Sequence, residues 1–468
     1  MNDETHLIQN RTFDEIEIGQ SASHTRTLNR RDIELFALLS NDLNPTHIDE
    51  EFARGAKFSR VVGHSMWSAG LISGVLGTEL PGPGTVYRGQ TLNFHGVVSV
   101  GDVITATVTV SGKNEAARTI ELDCRCTDQT GRVVLDGRAE VYAPPVKIHR
   151  AAIALPEVHF SEHGARHKKL VDEAARLPAI PTAVVHPVDQ VSLEGAVRAA
   201  EAGLIVPLLV GPEAKIRATA EQHGLHIKGF EIVDVPHSHA AAETGVALVR
   251  EGRAEVLMKG SLHTDEFMGA VVAKATGLRT GRRVSHAFIM DVPTYPKPLL
   301  ITDAAINIYP DLMDKADIVQ NAIELMHALG VAQPKVAILS AVETVTPKIG
   351  STMDAAALCK MADRGQIKGA ILDGPLAFDN AISKSAAKTK GIVSVVPGEA
   401  DILLAPDLEA GNMIAKQLEY LADAAAAGVV LGARCPIVLT SRADGTLARM
   451  ASCAVAALMA HAKRGTLK

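Results

Sequence analysis

A carboxylate and an imidazole lie close together in the stretch from Ser40 to Met66, SNDLNPTHIDEEFARGAKFSRVVGHSM. Asp42 and His47 are five positions apart, and Pro45 stands between them. Proline fixes its own φ angle and disfavours a helical conformation at the residue before it, so the stretch predicts a rigid turn. Such a turn can hold both side chains against one water molecule, and the two side chains can then transfer the protons of that water. The pair also fits a structural role, in which Asp42 caps a helix or turn and His47 is a satisfied polar residue.

The end of the same stretch reads Gly-His-Ser-Met and opens an apolar segment that predicts a helix from His64 to Leu80. The first amide groups of a helix have no partners inside the helix. The amide of Ser65 could therefore stabilise an enolate oxygen as negative charge develops on it. This turn and the Asp42–His47 pair together predict one site for acid–base chemistry.

A second candidate site lies where apolar runs of the C-terminal half end in polar residues. PIVLTSRADGTLAR ends such a run with Ser441 and Arg442, and Asp444 follows. Arginine presents a planar fork of donors that suits phosphate, and a neighbouring hydroxyl adds another. A capping Ser or Asp beside a surface arginine would give the same pattern, so for Asp444 a general base and a helix cap both stay open. Further candidates for contact with phosphate, the acyl group or the cleft follow other apolar runs: Lys259, His263, Thr264, Asp303 and Asn307.

Two kinds of pattern divide the chain near residue 145. Before it, the predicted helix is followed by runs of alternating branched and polar residues, which is typical of an α+β domain with strands wrapped on one buried helix. These runs are TVYRGQTLNFHGVV, DVITATVTVSGKN, RTIELDCRCTDQTG and RVVLDGRAEVYAP. After about Pro181, apolar runs such as LIVPLLVG and KVAILS each precede a helical segment, which predicts a parallel sheet covered on both faces, with ligands beyond the carboxyl ends of its strands. We expect domains at residues 1–145 and 166–468, joined by a linker at 146–165.

The composition excludes several classes of protein. A chain of 468 residues is long enough for two or three domains, and 47% hydrophobic with 21% charged residues describes a globular protein. The net charge of −6 offers no case for binding nucleic acid. No apolar stretch approaches the ~20 residues of a membrane span. The five cysteines lack zinc-like spacing and the N-terminus is polar, so we expect a cytoplasmic protein without a signal peptide.

Residues 12–143 resemble the MaoC-like, R-specific enoyl-CoA hydratase family, which has the hot-dog fold. The resemblance rests on FALLSNDLNPTHIDEEFA and on VVGHSMWSAGLISGVLGTELPGPGTVYRGQTLNFHGVVSVGD. It implies that Asp42 and His47 form the catalytic dyad that activates water. It also implies an oxyanion amide at Ser65, where the family usually has glycine, and this side chain narrows the approach of the substrate. The remaining positions that the resemblance places near the substrate are Asn44, which we expect to support the turn, Gly63 and Ser73.

Residues from about 165 to 468 resemble the phosphate acetyltransferase and phosphate butyryltransferase family. The resemblance rests on DGPLAFDNAI, PGEADILLAPDLEAGN and PIVLTSR, in this order and spacing. It implies two α/β/α subdomains related to those of isocitrate dehydrogenases, with Ser441 and Arg442 in the cleft between them. Acetyltransferases carry an arginine at the position of Glu399, and their catalytic aspartate lies further along the chain than Asp444. Both departures favour the butyryltransferase branch and leave the general base open.

The two resemblances predict one enzyme with two activities on acyl-CoA esters. The first is hydration of trans-2-enoyl-CoA to the (R)-3-hydroxyacyl-CoA, and the second is acyl transfer between coenzyme A and inorganic phosphate. We expect no metal ion and no cofactor, and the resemblance implies a homo-oligomer, a dimer or larger. One alternative is a hot-dog thioesterase fused to a dehydrogenase-like domain, although no GxGxxG follows a predicted strand. The other is a non-catalytic acyl-CoA sensor, which Glu399 keeps open for the second half and the intact Asp42–His47 pair disfavours for the first.

Overall fold

The computed structural model describes residues 7–55, 57–151, 163–440 and 445–465. The chain forms two compact units, Met1–Phe160 and Ser161–Lys468, which we call the first and second units. No helix in the described parts of the chain is long and apolar enough to cross a membrane.

The first unit contains seven strands and four α-helices in its described residues. The strands are β1 (Leu7–Gln9), β2 (Ser21–Thr27), β3 (Val86–Phe94), β4 (Val103–Asn114), β5 (Thr119–Thr127), β6 (Val133–Tyr142) and β7 (His149–Ala151). The helices are α1 (Arg30–Ser40), α2 (Pro45–Ile48), α3 (Glu50–Gly55) and α4 (Ser65–Thr78), with a 3₁₀ turn at Phe13–Glu15.

A five-stranded antiparallel sheet in the order β2-β4-β5-β6-β3 wraps around α4. Strands β4 and β5 alternate buried and more exposed residues, because successive side chains of a strand point to opposite faces. Their buried faces meet the buried residues of α4, which are Trp67, Ser68, Leu71, Ile72, Val75 and Leu76. Full burial of each large apolar side chain stabilises the fold by about 1.5–3 kcal/mol. The predicted helix and all four predicted strands are confirmed, and with them the α+β class of this domain.

Part of the expected linker belongs to the first unit. Strand β7 lies within residues 146–165 and pairs antiparallel with β1. The sequence showed no alternation at so short a strand, and its pairing partner lies near the other end of the unit. The domain boundaries at 145 and 166 otherwise stay a prediction.

The second unit alternates strands and helices. Its strands are β8 (Ile180–Val185), β9 (Ile205–Gly211), β10 (Glu231–Asp234), β11 (Val256–Lys259), β12 (Ser285–Asp291), β13 (Leu299–Thr302), β14 (Lys335–Leu339), β15 (Ile371–Leu376), β16 (Ile402–Leu404), β17 (Ala425–Leu431) and β18 (Ile437–Val438). Its helices are α5 (Ala165–Ala174), α6 (Gln190–Glu201), α7 (Glu213–Gln222), α8 (Ser238–Arg250), α9 (Thr264–Val271), α10 (Leu312–Ala328), α11 (Gly350–Asp363), α12 (Phe378–Ile382), α13 (Lys384–Thr389), α14 (Leu408–Leu421) and α15 (Thr446–Lys463).

The strands of the second unit form one 11-stranded sheet in the order β10-β9-β8-β11-β18-β17-β12-β13-β16-β14-β15. The expected parallel sheet is confirmed on both sides of its centre but not at the centre, where β12 pairs antiparallel with both β13 and β17, and β17 pairs antiparallel with β18. No helix separates β12 from β13 or β17 from β18, and connections this short join antiparallel neighbours.

The centre of this sheet includes a strand that composition conceals. β17 begins in the run DAAAAG, which looks like an alanine-rich loop in the sequence. Its small residues let α15 approach closely, and the amide of Gly428 donates to Ser452 Oγ at 3.0 Å. Helix α15 is buried from Ala451 to His461, as expected for a helix packed on all sides.

Candidate active sites

The turn that carries Asp42 follows from the residues around it. Helix α1 ends at Ser40, and Asn41 takes the left-handed conformation with φ of 56°, which Asn tolerates better than most residues. Helix α2 begins at Pro45, and Asn44 Oδ1 caps it by accepting from the amide of Thr46 at 3.1 Å. The Asn44 side chain therefore supports the turn, as we expected for it.

His47 is oriented by a backbone carbonyl. Its Nδ1 lies 2.7 Å from the carbonyl oxygen of Val62. A carbonyl oxygen only accepts hydrogen bonds, so Nδ1 carries the proton in this contact and the Nε2 of the neutral ring holds a lone pair. The ring is partly buried and is ready to act as a base at Nε2.

Asp42, His47 and His64 form one cluster. One nitrogen or oxygen atom from each side chain lies within 4.8 Å of the others. The Asp42 side chain is 48% exposed, whereas that of His64 is 2% exposed. Gaps of this length suit a bridging water molecule, and two imidazoles with a carboxylate could also hold a divalent metal ion. The structure thus brings the predicted dyad together and adds His64. The only hint of His64 in the sequence was its position directly before the helix α4, after Gly63.

The other predicted residues of the first unit have different surroundings. Ser65 is exposed and is the first residue of α4, so its amide belongs to the helix turn nearest the cluster. Gly63 is buried and its amide already donates to the carbonyl of Val98 at 2.7 Å. A Cβ at Gly63 would lie 2.6 Å from the Leu28 side chain, so this glycine packs the turn, and its expected contact with substrate stays a prediction. Ser73 is exposed on α4, where its hydroxyl contacts the Tyr87 side chain, and its place near the dyad stays a prediction.

Ser441, Arg442 and Asp444 lie outside the described residues of the second unit. The chain is described up to Thr440, two residues beyond β18, and resumes at Gly445, the N-cap of α15. The buried side chain of Arg449 donates from Nη1 to Thr440 Oγ1 at 2.8 Å. The assignment of the serine, the arginine and the aspartate to the transferase site stays a prediction.

Polar residues lie at the carboxyl ends of three neighbouring strands, next to Thr440. Strands β8, β11 and β18 run parallel and side by side, so Lys259, His186 and Thr440 follow at the same edge. Lys259 is buried, and His186 Nδ1 donates to the carbonyl of Ser261 at 2.7 Å. Two cations, Lys259 and Arg449, thus lie at an edge where a phosphate could bind.

Asp189 lies in the same cluster. Burial works to raise the pKa of its carboxyl, but hydrogen bonds from Ser192 and Ser261 and the positive charge of Arg449 outweigh burial and lower it. Its Oδ1 also caps α6 by accepting from the amide of Ser192 at 2.8 Å. The sequence did not predict Asp189 and Arg449 as site residues, because neither of them follows a strand directly. His263 and Thr264 are exposed at the start of α9, and they stay predictions.

Asp303 and Asn307 have structural partners. The Asp303 carboxylate is buried and accepts from the amides of Ala305 at 2.8 Å and Ile306 at 2.9 Å, and from Asn307 Nδ2 at 2.6 Å. Strand β13 runs opposite to β11, and β18, β17 and β12 separate the two strands. The structure therefore does not bring this pair to Lys259, and their expected place at the cleft stays a prediction.

Glu399 is neutralised by lysines. It pairs with Lys384 and lies 3.5 Å from Lys335, at the amino ends of β14 and β16. The hydrogen bond from Lys384 holds the pKa of its carboxyl below the usual range. Glu399 therefore carries no unpaired negative charge, because its carboxylate is matched by the two lysines.

Comparison with known proteins agrees with both resemblances. Residues 239–457 match the phosphate acetyl/butaryl transferase family, and residues 13–129 match the MaoC like domain. A phosphate acetyltransferase of Rhizobium meliloti is 64% identical over 301 residues, which are 64% of this chain and 95% of the relative. A phosphate butyryltransferase of Clostridium acetobutylicum is 44% identical over 275 residues, 59% of this chain and 91% of the relative. The crystal structure of a branched-chain phosphotransacylase from Enterococcus faecalis V583 is 28% identical, with a TM-score of 0.54, and covers 60% of this chain and 99% of that one.

The fold and the matched relatives define the second unit as a phosphate acyltransferase. The chain belongs to the phosphate acetyl/butyryltransferase family, and it is an enzyme that carries a MaoC-like hot-dog domain before its transferase domain. The alternatives of a dehydrogenase-like second half and of a non-catalytic sensor are therefore wrong. Identity is higher with the relative named acetyltransferase than with the one named butyryltransferase, opposite to the direction in which Glu399 and Asp444 pointed.

Proposed function

We propose that the first unit hydrates trans-2-enoyl-CoA to the (R)-3-hydroxyacyl-CoA, while the second unit transfers the acyl group of an acyl-CoA to inorganic phosphate. The observation that carries the hydratase assignment is the cluster that Asp42 and His47 form. The contact of His47 Nδ1 with the Val62 carbonyl leaves a lone pair on His47 Nε2, which can then act as a base. The transferase assignment is carried by the relative that is 64% identical.

In the hydration, one water molecule bridges Asp42 and His47. His47 Nε2 accepts a proton from this water as its oxygen bonds to C3 of the enoyl group, and the double-bond electrons move onto the thioester oxygen. The Ser65 amide donates to that enolate oxygen, where negative charge develops in the transition state. The proton then passes to C2, so that one molecule of water is added in total. The R configuration rests on the family resemblance.

In the acyl transfer, an oxygen of phosphate attacks the thioester carbonyl and the C–S bond breaks, which yields the acyl phosphate and free coenzyme A. We assign phosphate binding to Arg442 and the neighbouring Ser441 hydroxyl, since a planar guanidinium matches phosphate oxygens. Lys259 supplies further positive charge at the carboxyl end of β11, beside the end of β18. Asp444 is a candidate general base.

The remaining features of the proposal concern the substrate and the state of the protein. Acetyl-CoA and butyryl-CoA are the acyl donors to compare, because relatives of both names match the second unit. We also propose a homo-oligomer and a cytoplasmic location, and the five cysteines, all of them free, suit a reducing compartment.

One preparation of the full chain tests both activities. Loss of crotonyl-CoA absorbance measures hydration, and chiral analysis of the 3-hydroxybutyryl-CoA identifies the product. An S-configured product would refute the hydratase assignment. Release of coenzyme A that depends on phosphate, together with acyl phosphate, measures the transfer. Release without phosphate would instead indicate a thioesterase.

A further inference from the structure

His64 occupies a buried position between two parts of the first site. It is the N-cap residue of α4, and its side chain is 2% exposed. The centre of its ring lies 4.0 Å from that of His47, with a 35° tilt, and 5.0 Å from that of Phe36. The ring of His47 therefore rests against a side chain that has little freedom to move.

The same imidazole holds the backbone of Asp42. His64 Nε2 lies 3.1 Å from the Asp42 carbonyl oxygen, which can only accept, so Nε2 donates in this contact. The Asp42 carboxylate is 3.9 Å from the same nitrogen, beyond hydrogen-bond distance, and is left to contact water.

The other ring nitrogen of His64 has no such use. His64 Nδ1 is buried and has no hydrogen-bond partner among the described residues. A buried polar atom without a partner costs free energy, and a phenylalanine would fill the space without this cost. A histidine at this position is thus better explained by its contacts with Asp42 and His47 than by packing alone.

We propose that His64 is a positioning residue of the hydratase site. Its N–H fixes the backbone of Asp42, its ring fixes the plane of the His47 ring, and its own backbone leads directly into the Ser65 amide. Three separate parts of the site are thus held by one side chain and its peptide group. This inference rests on the proposed hydratase function.

Three substitutions separate the two contacts. His64→Phe keeps a ring against His47 but loses the donor to Asp42, His64→Gln keeps a donor without the aromatic ring, and His64→Ala loses both. Because a misplacement of about 1 Å can cost about 100-fold in rate, we expect His64→Ala to lower kcat about 100-fold. His64→Phe and His64→Gln each keep one of the two contacts, so we expect a smaller decrease in kcat for them. Their KM should stay within about twofold of wild type. The matched control is Ile72→Val, which removes one buried methyl group from the same helix and should leave kcat unchanged.

The outcomes are distinguishable. Thermal unfolding shows whether each variant is folded, and crotonyl-CoA kinetics are then compared for the folded proteins. A folded His64→Ala with wild-type kcat would overturn the positioning role, as would equal loss of kcat in Ile72→Val. A wild-type protein that does not hydrate crotonyl-CoA would instead refute the proposed function itself.

Discussion

Replacement of Asp42 by Asn should abolish most of the hydration while leaving acyl transfer intact. The change keeps the size of the side chain and removes its negative charge. The local turn should survive, because the Asn44 amide that lies 3.3 Å from Asp42 Oδ1 can still donate to an amide oxygen. The side chain is about half exposed, so the change in the free energy of unfolding should stay within about 0.5 kcal/mol.

The size of the rate effect follows from what remains. His47 keeps its hydrogen bond to the Val62 carbonyl, and the Ser65 amide belongs to a different element, so part of the site persists. Loss of one acid–base group typically costs about 10²–10⁴-fold, or about 2.7–5.4 kcal/mol of barrier at 1.36 kcal/mol per tenfold. We expect kcat for crotonyl-CoA to fall within this range.

The assay measures both activities in one preparation. The control is Asp49→Asn, which removes the same charge seven positions away and keeps an oxygen to cap α3, where Asp49 Oδ1 accepts from the Glu51 amide at 2.9 Å. Hydration by this control should stay within about twofold of wild type, since surface substitutions away from a site are usually nearly neutral. Hydration by a folded Asp42→Asn that stays close to wild type would refute the dyad, and loss of acyl phosphate formation would show that the two sites are coupled.

The other predictions concern both units. Arg442→Lys should keep the positive charge but lose the two-pronged geometry, so phosphate saturation measured by coenzyme A release should weaken; an unchanged phosphate KM would remove Arg442 from the site. A chelator such as EDTA should leave hydration unchanged, because Asp42 and His47 can move the protons of water themselves, and loss of activity that a divalent metal restores would contradict this. Burial lowers the pKa of His286 to about 4 in the folded chain, so the unfolded state binds the extra proton between about pH 6.5 and pH 4. The free energy of unfolding of the second unit should therefore fall as the pH drops through this window, and a denaturation series at several pH values should show a flatter fall in His286→Gln.

The strand pattern of the first unit was predictable because its information is local. Alternation of buried and exposed residues over β4 and β5 reflects a sheet with one buried face. Each strand shows this alternation in its own residues, without information from the rest of the chain. The turn at Asp42 was predictable for the same reason, since Pro45 and the Asn44 cap act within a few residues. The two resemblances extended this to the fold of each unit and to the pairing of Asp42 with His47.

Sequence by itself determined the four long strands and the central helix of the first unit, the succession of strands and helices in the second, the turn and the chemistry of its side chains. Tertiary structure decided which distant residues meet: β17 takes its central place because its alanines admit α15, and β12 and β13 run antiparallel because no helix separates them. It also decided that the Asp303 carboxylate accepts hydrogen bonds from backbone amides, and that the His64 side chain contacts the backbone carbonyl of Asp42, 22 positions earlier in the chain. Contacts of this kind depend on how helices and strands pack, and that arrangement leaves no period or spacing in the local sequence.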